Sequence, residues 1–144
     1  MFGTDRTQAG DGIHRILIVE DDALIAFDNE NALCDAGFSV VATVDNAPDA
    51  LRLIAGGGID LVMSDVNLSG EGSGVDVARA ARDAGIVLLF VSGHCPADAQ
   101  DLAIGCLAKP YTQRDLLGSI DAVAAARSGR PARHLPPALT LYGE

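Results

Sequence analysis

Short aliphatic runs alternate with amphipathic stretches along most of the chain. Ile13 to Val19 is a nearly unbroken apolar run, the pattern of a strand covered on both faces. From about Ala23 to Ala36 the apolar positions Leu24, Ile25, Ala32, Leu33 and Ala36 predict a helix, which Gly37 is placed to stop. Phe38 to Val44 reads as a second strand. Asn46 is a helix cap, Pro48 suits a first turn, and Ala47, Ala50, Leu51 and Ile54 share one face until the glycines at 56 to 58. Ile59 to Ser64 is a third strand, running into Asp65 and then a loop bearing Gly70, Gly72 and Gly74.

The alternation continues beyond that loop. Val75, Ala78 and Ala81 mark a third helix that Gly85 closes, and Ile86 to Val91 is a fourth, central strand. A short helix is expected over Pro96 to about Ala103, on a weak apolar face, and a short fifth strand over Gly105 to Ala108. Thr112-Gln113-Arg114-Asp115 fits a capping box, and Leu116, Leu117, Ile120, Val123 and Ala124 then form an amphipathic stripe. Five strand–helix units with right-handed crossovers predict an α/β protein: a flavodoxin-like (βα)5 three-layer sandwich, its parallel sheet ordered 2-1-3-4-5.

Residues 1–12 are polar and glycine-bearing, the expectation being a flexible leader before a domain over 13–127. The pattern breaks at Ser128-Gly129-Arg130-Pro131, so 128–144 is expected as a linker-like tail carrying no output domain, either disordered or docked on its own domain or a partner. The 144 residues suffice for one buried core, and 49% hydrophobic residues suit a compact α/β protein. A formal net charge of −10 argues against a nucleic-acid-binding surface. The longest apolar run, Ile86 to Val91, is too short to cross a bilayer, and no basic-then-apolar signal opens the chain, so no membrane association and a cytoplasmic location are expected. Cys34, Cys95 and Cys106 are odd in number and lack ligand spacing, implying neither a disulfide framework nor a zinc site.

Chemistry gathers at the strand ends. Ile16-Leu17-Ile18-Val19 runs into Glu20-Asp21-Asp22, Leu61-Val62-Met63-Ser64 into Asp65, Leu88-Leu89-Phe90-Val91 into Ser92-Gly93, and Gly105-Cys106-Leu107-Ala108 into Lys109-Pro110. The expected strand order brings Glu20, Asp21, Asp65 and Ser92 together at the carboxyl edge, where ligands bind in open parallel sheets. Asp21 and Asp65 have the hard oxygen chemistry Mg²⁺ requires, with Glu20 behind them through water. Asp65 is a candidate nucleophile, Lys109 a point charge for a phosphoryl oxygen, and Ser92 a hydroxyl donor. Taken singly, each has an ordinary reading as a helix start, a turn or a surface loop. The ordered set carries the functional one.

That set resembles the receiver domain of two-component response regulators. Ile-Leu-Ile-Val-Glu-Asp-Asp, Leu-Val-Met-Ser-Asp-Val-Asn-Leu, Phe-Val-Ser-Gly and Leu-Ala-Lys-Pro-Tyr carry the likeness, which covers about Arg15 to Ala126. The resemblance implies that Asp65 accepts a phosphoryl group from a sensor histidine kinase or a histidine phosphotransfer protein, forming an aspartyl phosphate. It implies Mg²⁺ on Asp21, Asp65 and the backbone carbonyl of Asn67, with Glu20 acting through water. Lys109 then holds the phosphoryl group and Ser92 moves toward it. Asp22 lies one place beyond the family's acidic pair. Asn67 and His94 fall where the family tunes phosphoryl lifetime.

By the same resemblance, a receiver without an output domain is a single-domain regulator that signals by protein contact, dimerises or acts as a phosphate sink. The expected contact face is the fourth helix, fifth strand and fifth helix, with Gln100, Asp101, Arg114 and Leu117 on it. A partial likeness also exists to alphaproteobacterial single-domain receivers with a Phe-Ala-Thr-Gly-Tyr motif, here Phe90-Val91-Ser92-Gly93-His94. Cys106 departs from the family, standing where receivers place a switch aromatic. Three rivals share these residues. A small Mg²⁺-dependent phosphatase lacks the second acid of Asp-x-Asp in Asp65-Val66-Asn67, and a flavodoxin-like FMN carrier would set acids against the cofactor phosphate. A receiver-like module that is never phosphorylated is opposed by the complete acid, hydroxyl and lysine set.

Overall fold

A computed structural model describes residues 12–132 and 134–142; the expected leader, apart from Gly12, lies outside them. Strands β1 (Arg15–Val19), β2 (Ser39–Val44), β3 (Leu61–Ser64), β4 (Val87–Ser92), β5 (Gly105–Ala108) and β6 (Leu139–Leu141) form one sheet. The helices are α1 (Ala23–Asp35), α2 (Ala47–Gly56), α3 (Gly74–Asp83) and α4 (Gln113–Arg127). The strand order is β2-β1-β3-β4-β5-β6, with β1 to β5 parallel and β6 antiparallel to β5. The expected 2-1-3-4-5 order therefore holds, extended by one edge strand.

Alternate residues of the central strands feed two cores, as a sheet covered on both faces requires. Ile16, Ile18, Leu61, Met63, Leu89, Val91 and Leu107 pack with Leu33 of α1 and Leu116, Ile120 and Val123 of α4. On the other face, Leu17, Val19, Val62, Leu88, Phe90 and Cys106 pack with Ala50 and Ile54 of α2 and Val77, Ala78 and Ala81 of α3. The helix starts follow their expected chemistry. Asp22, Asn46, Ser73 and Thr112 cap the four helices through their side chains, and Thr112–Asp115 forms the full capping box. The Asp22 carboxylate accepts from the N–H groups of Leu24 and Ile25, so Asp22 acts as a helix cap.

Two expectations are corrected. No helix forms between β4 and β5, leaving four helices among the described residues rather than five. Pro96 offers no backbone donor, and the apolar anchors of the segment are only Ala99 and Leu102, one turn's worth of contact. Consequently the expected face built on a fourth helix is a loop there, with Gln100 and Asp101 exposed on it and Arg114 and Leu117 on α4. Second, Cys95 and Cys106 form a disulfide, their Cα atoms 6.0 Å apart, while Cys34 is free and exposed. Sequence spacing gave no hint of this pair, because the irregular path of residues 93–104 decides which part of β5 Cys95 meets.

Of the two alternatives left open for the tail, its described part takes the docked one. Tyr142 N–H donates to Ile104 O at 2.9 Å and Ala108 N–H to Ala138 O at 2.9 Å, on either side of the β5–β6 pairing. Two glycines accommodate the tail. A Cβ on Gly105 would collide with the carbonyl of Thr140, and one on Gly118 would come within 3.0 Å of Pro136. Pairing β6 with β5 satisfies backbone groups of β5 and leaves only a three-residue strand as the edge on that side.

Candidate functional site

The carboxyl ends of β1, β3 and β5 converge on one constellation. Glu20 follows β1 and is 4% exposed, Asp65 follows β3 and is 7% exposed, and Asp21 beside them is exposed. Carboxylate oxygens of Glu20, Asp21 and Asp65 all lie within 4.8 Å of one another. Lys109, from the end of β5, places its Nζ 2.8 Å from Asp65 Oδ2 and 3.0 Å from Glu20 Oε1. The Lys109–Pro110 peptide is cis.

Each carboxylate is oriented by its neighbours. Asp22 N–H donates to Glu20 Oε2 at 3.1 Å, and Asn67 N–H donates to Asp65 Oδ1 at 3.1 Å. Ser69 Oγ–H donates to Asp21 Oδ2 at 2.8 Å, a role that sequence reading missed because Ser69 is one of several polar residues in a loop. Gly74 was also missed as a positioning residue. Its N–H donates to Val66 O at 2.8 Å, and a Cβ there would run into the backbone carbonyl of Asp65. The start of α3 can thus lie directly on the Asp65 loop.

The electrostatics follow from burial and pairing. Burial raises the Glu20 carboxyl above its ordinary range, against the lowering pull of the Asp22 N–H and of Lys109. Burial alone would lower the Lys109 ammonium, but hydrogen bonds and charge from Asp65 and Glu20 outweigh it, and the net shift is upward. Lys109 therefore stays charged between two carboxylates. Tyr111, two residues on, exchanges hydrogen bonds with the buried Asn29 at 2.9 and 3.2 Å, and burial raises its hydroxyl.

Ser92 ends β4 and is fully buried. Its hydroxyl is turned into its own loop, donating to His94 O and accepting from His94 N–H, both at 3.1 Å. Asn67 and His94 are exposed residues of the loops that follow β3 and β4. Three carboxylates in close reach with one lysine make a hard, oxygen-only donor set, which fits a small divalent cation such as Mg²⁺. Among the described residues, no helix is long and apolar enough to cross a membrane.

Comparison with known proteins agrees with this geometry. The model of the response regulator receiver domain matches residues 16–121. The chemotaxis protein CheY of Pseudomonas aeruginosa is 30% identical, the match covering 76% of this chain and 94% of CheY. The transcriptional regulatory protein PdtaR of Mycobacterium tuberculosis is 33% identical across 74% of this chain, which spans only 55% of PdtaR. A response regulator receiver protein from Sinorhizobium medicae superposes with a TM-score of 0.70 at 29% identity, covering 80% of this chain and 97% of that one. Receiver domains of this family bind Mg²⁺ in an acidic pocket and work with histidine kinases or phosphotransfer proteins as signalling domains of two-component systems. With fold, strand-end chemistry and sequence likeness in agreement, this chain belongs to the response regulator receiver family.

Proposed function

We propose that the chain is a phosphoacceptor receiver in which Asp65 takes a phosphoryl group from a phosphohistidine of a sensor kinase or a histidine phosphotransfer protein. The observation that carries this reading is Lys109 bridging Asp65 and Glu20 beside Asp21. In the transfer, an Asp65 oxygen forms the new bond to phosphorus as the phosphorus–nitrogen bond to histidine breaks, leaving the imidazole to its proton. Lys109 moves its charge from the free carboxylate to a phosphoryl oxygen, and Asn67 N–H steadies the carboxylate during attack. Ser92 supplies the hydroxyl that turns toward the phosphoryl group afterwards. Asp21, Asp65 and the backbone carbonyl of Asn67 would hold Mg²⁺, with Glu20 acting through water. When bound, the ion supplies positive charge to the transferring oxygens.

The unit assigned to this role is residues 13–127, with 128–144 serving the same domain; β6 on the edge of β5 supports that assignment. We further assign a cytoplasmic, single-domain regulator, acting by protein contact or as a phosphate sink and turning over only its own phosphoryl group. The mass of the native protein and its partition in cell fractions test that assignment. Intact-mass spectrometry after incubation with acetyl phosphate and Mg²⁺ tests the acceptor itself. A hydroxylamine-labile adduct is expected on the wild type and none on Asp65→Asn. Equal labelling of the two proteins would remove Asp65 from the role.

A further inference from the structure

The disulfide joins a buried strand to an irregular connection. Cys106 is fully buried in the middle of β5, opposite Phe90 of β4 and Thr140 of β6. Cys95 is half-buried in the connection 93–104, which has no helix to hold it and leans on Ala99 and Leu102 in the core beneath. Cys95 directly follows His94, the residue whose backbone N–H and carbonyl engage the Ser92 hydroxyl. The bond thus ties to β5 the turn whose backbone holds the Ser92 hydroxyl.

We propose that Cys95–Cys106 is a reversible redox modification site, addressed by a dithiol reductant, that locks the Ser92–His94 turn when oxidised and releases it when reduced. The release mechanism follows from exposure. A reductant thiolate attacks the Sγ of half-buried Cys95, since Cys106 is fully buried; the Sγ–Sγ bond breaks and Cys106 leaves as a thiolate that takes a proton. The second thiol of the reductant then attacks the mixed disulfide and frees Cys95, so the reductant leaves as its own disulfide and the protein gains two thiols. Closure of an 11-residue separation restrains the open states of the loop, so reduction raises their population. The effect on phosphorylation rests on the acceptor reading of Asp65. In the reducing compartment assigned above, a disulfide is transient, which is what a switch requires.

Three measurements on the full chain decide the matter. After aerobic oxidation and unfolding in the presence of maleimide, the chain should gain one adduct, at Cys34, and prior treatment with dithiothreitol, then removed, should raise the count to the three cysteines of the chain. Hydrogen exchange at amides of 93–104 should quicken by about tenfold or more on reduction. Adduct formation from acetyl phosphate should be several-fold faster in the reduced chain, and Cys95→Ser should behave as reduced under both conditions. Three maleimide additions to the oxidised chain, or identical exchange in both states, would overturn the lock. Altered exchange with equal adduct rates would overturn the control of phosphorylation. Altered exchange with no adduct in either state would count against the acceptor reading and leave the lock supported.

Discussion

Gly74 at the start of α3 lies against the backbone carbonyl of Asp65, with no room between them for a methyl group. The helix that follows the Asp65 loop therefore sets the position of the carboxylate through main-chain contact. Gly74→Ala should push the Asp65 loop outward and destabilise the domain by about 1–3 kcal/mol, the usual range for overpacking. Thermal unfolding and the rate of adduct formation should both fall; an unchanged adduct rate would separate α3 packing from site geometry.

Ser69 is the hydrogen-bond donor to Asp21, the most exposed member of the acidic group. Ser69→Ala frees that carboxylate to rotate, and Mg²⁺ affinity should drop by up to about tenfold, the lower end for loss of an orienting partner. Titration of Mg²⁺ followed by thermal shift reads this directly. Asp21→Asn, which removes a charged ligand, should weaken binding more than Ser69→Ala does.

Gly105 lets the carbonyl of Thr140 approach β5 closely enough for β6 to pair. Gly105→Val should release the tail at a cost of about 1–3 kcal/mol. The amides of Leu139 to Leu141 should then lose protection from exchange while those of β1 and β3 keep theirs. Loss of protection across the whole sheet would mean that β6 is integral to the fold and not an added edge.

Alkaline stability should depend on Tyr111 and Lys109. The Tyr111 hydroxyl is raised above its ordinary 10.0, so above that pH the unfolded chain loses its proton first and stability falls as pH rises. Lys109 is raised above its ordinary 10.5, so its stabilisation is present below that value and is lost as pH climbs through the folded-state value. Tyr111→Phe should cost about 1–2 kcal/mol near neutrality, because buried Asn29 loses its partner. Above pH 10 the gap to the wild type should narrow, since only the wild type carries the tyrosine titration; denaturant unfolding across pH checks the crossing.

Most of what places the candidate site is local and hence readable along the chain. Glu20, Asp21, Asp65, Ser92 and Lys109 each terminate an apolar run, and a parallel sheet carries such ends to one edge whatever the details between them. Capping residues such as Asn46 and Thr112 act within one turn, so their partners are predictable from spacing alone. The missing helix before β5 shows where this stops. A segment with one proline and two apolar anchors sits close to the balance between helix and loop, and the packing around it decides the outcome.

Hydrophobic period alone gave the alternation of strands and helices and the two-faced sheet, and with the strand order of the resembling fold it placed the acids and the lysine at one edge. Folding in three dimensions was needed to bring Cys95 to Cys106, the tail onto β5 as β6, Ser69 to Asp21 and Gly74 against Asp65. Each of these joins segments through contacts set by loop paths and ångström-scale fit. Neither leaves a periodic mark in the chain, so they exist as constraints only once the sheet has closed.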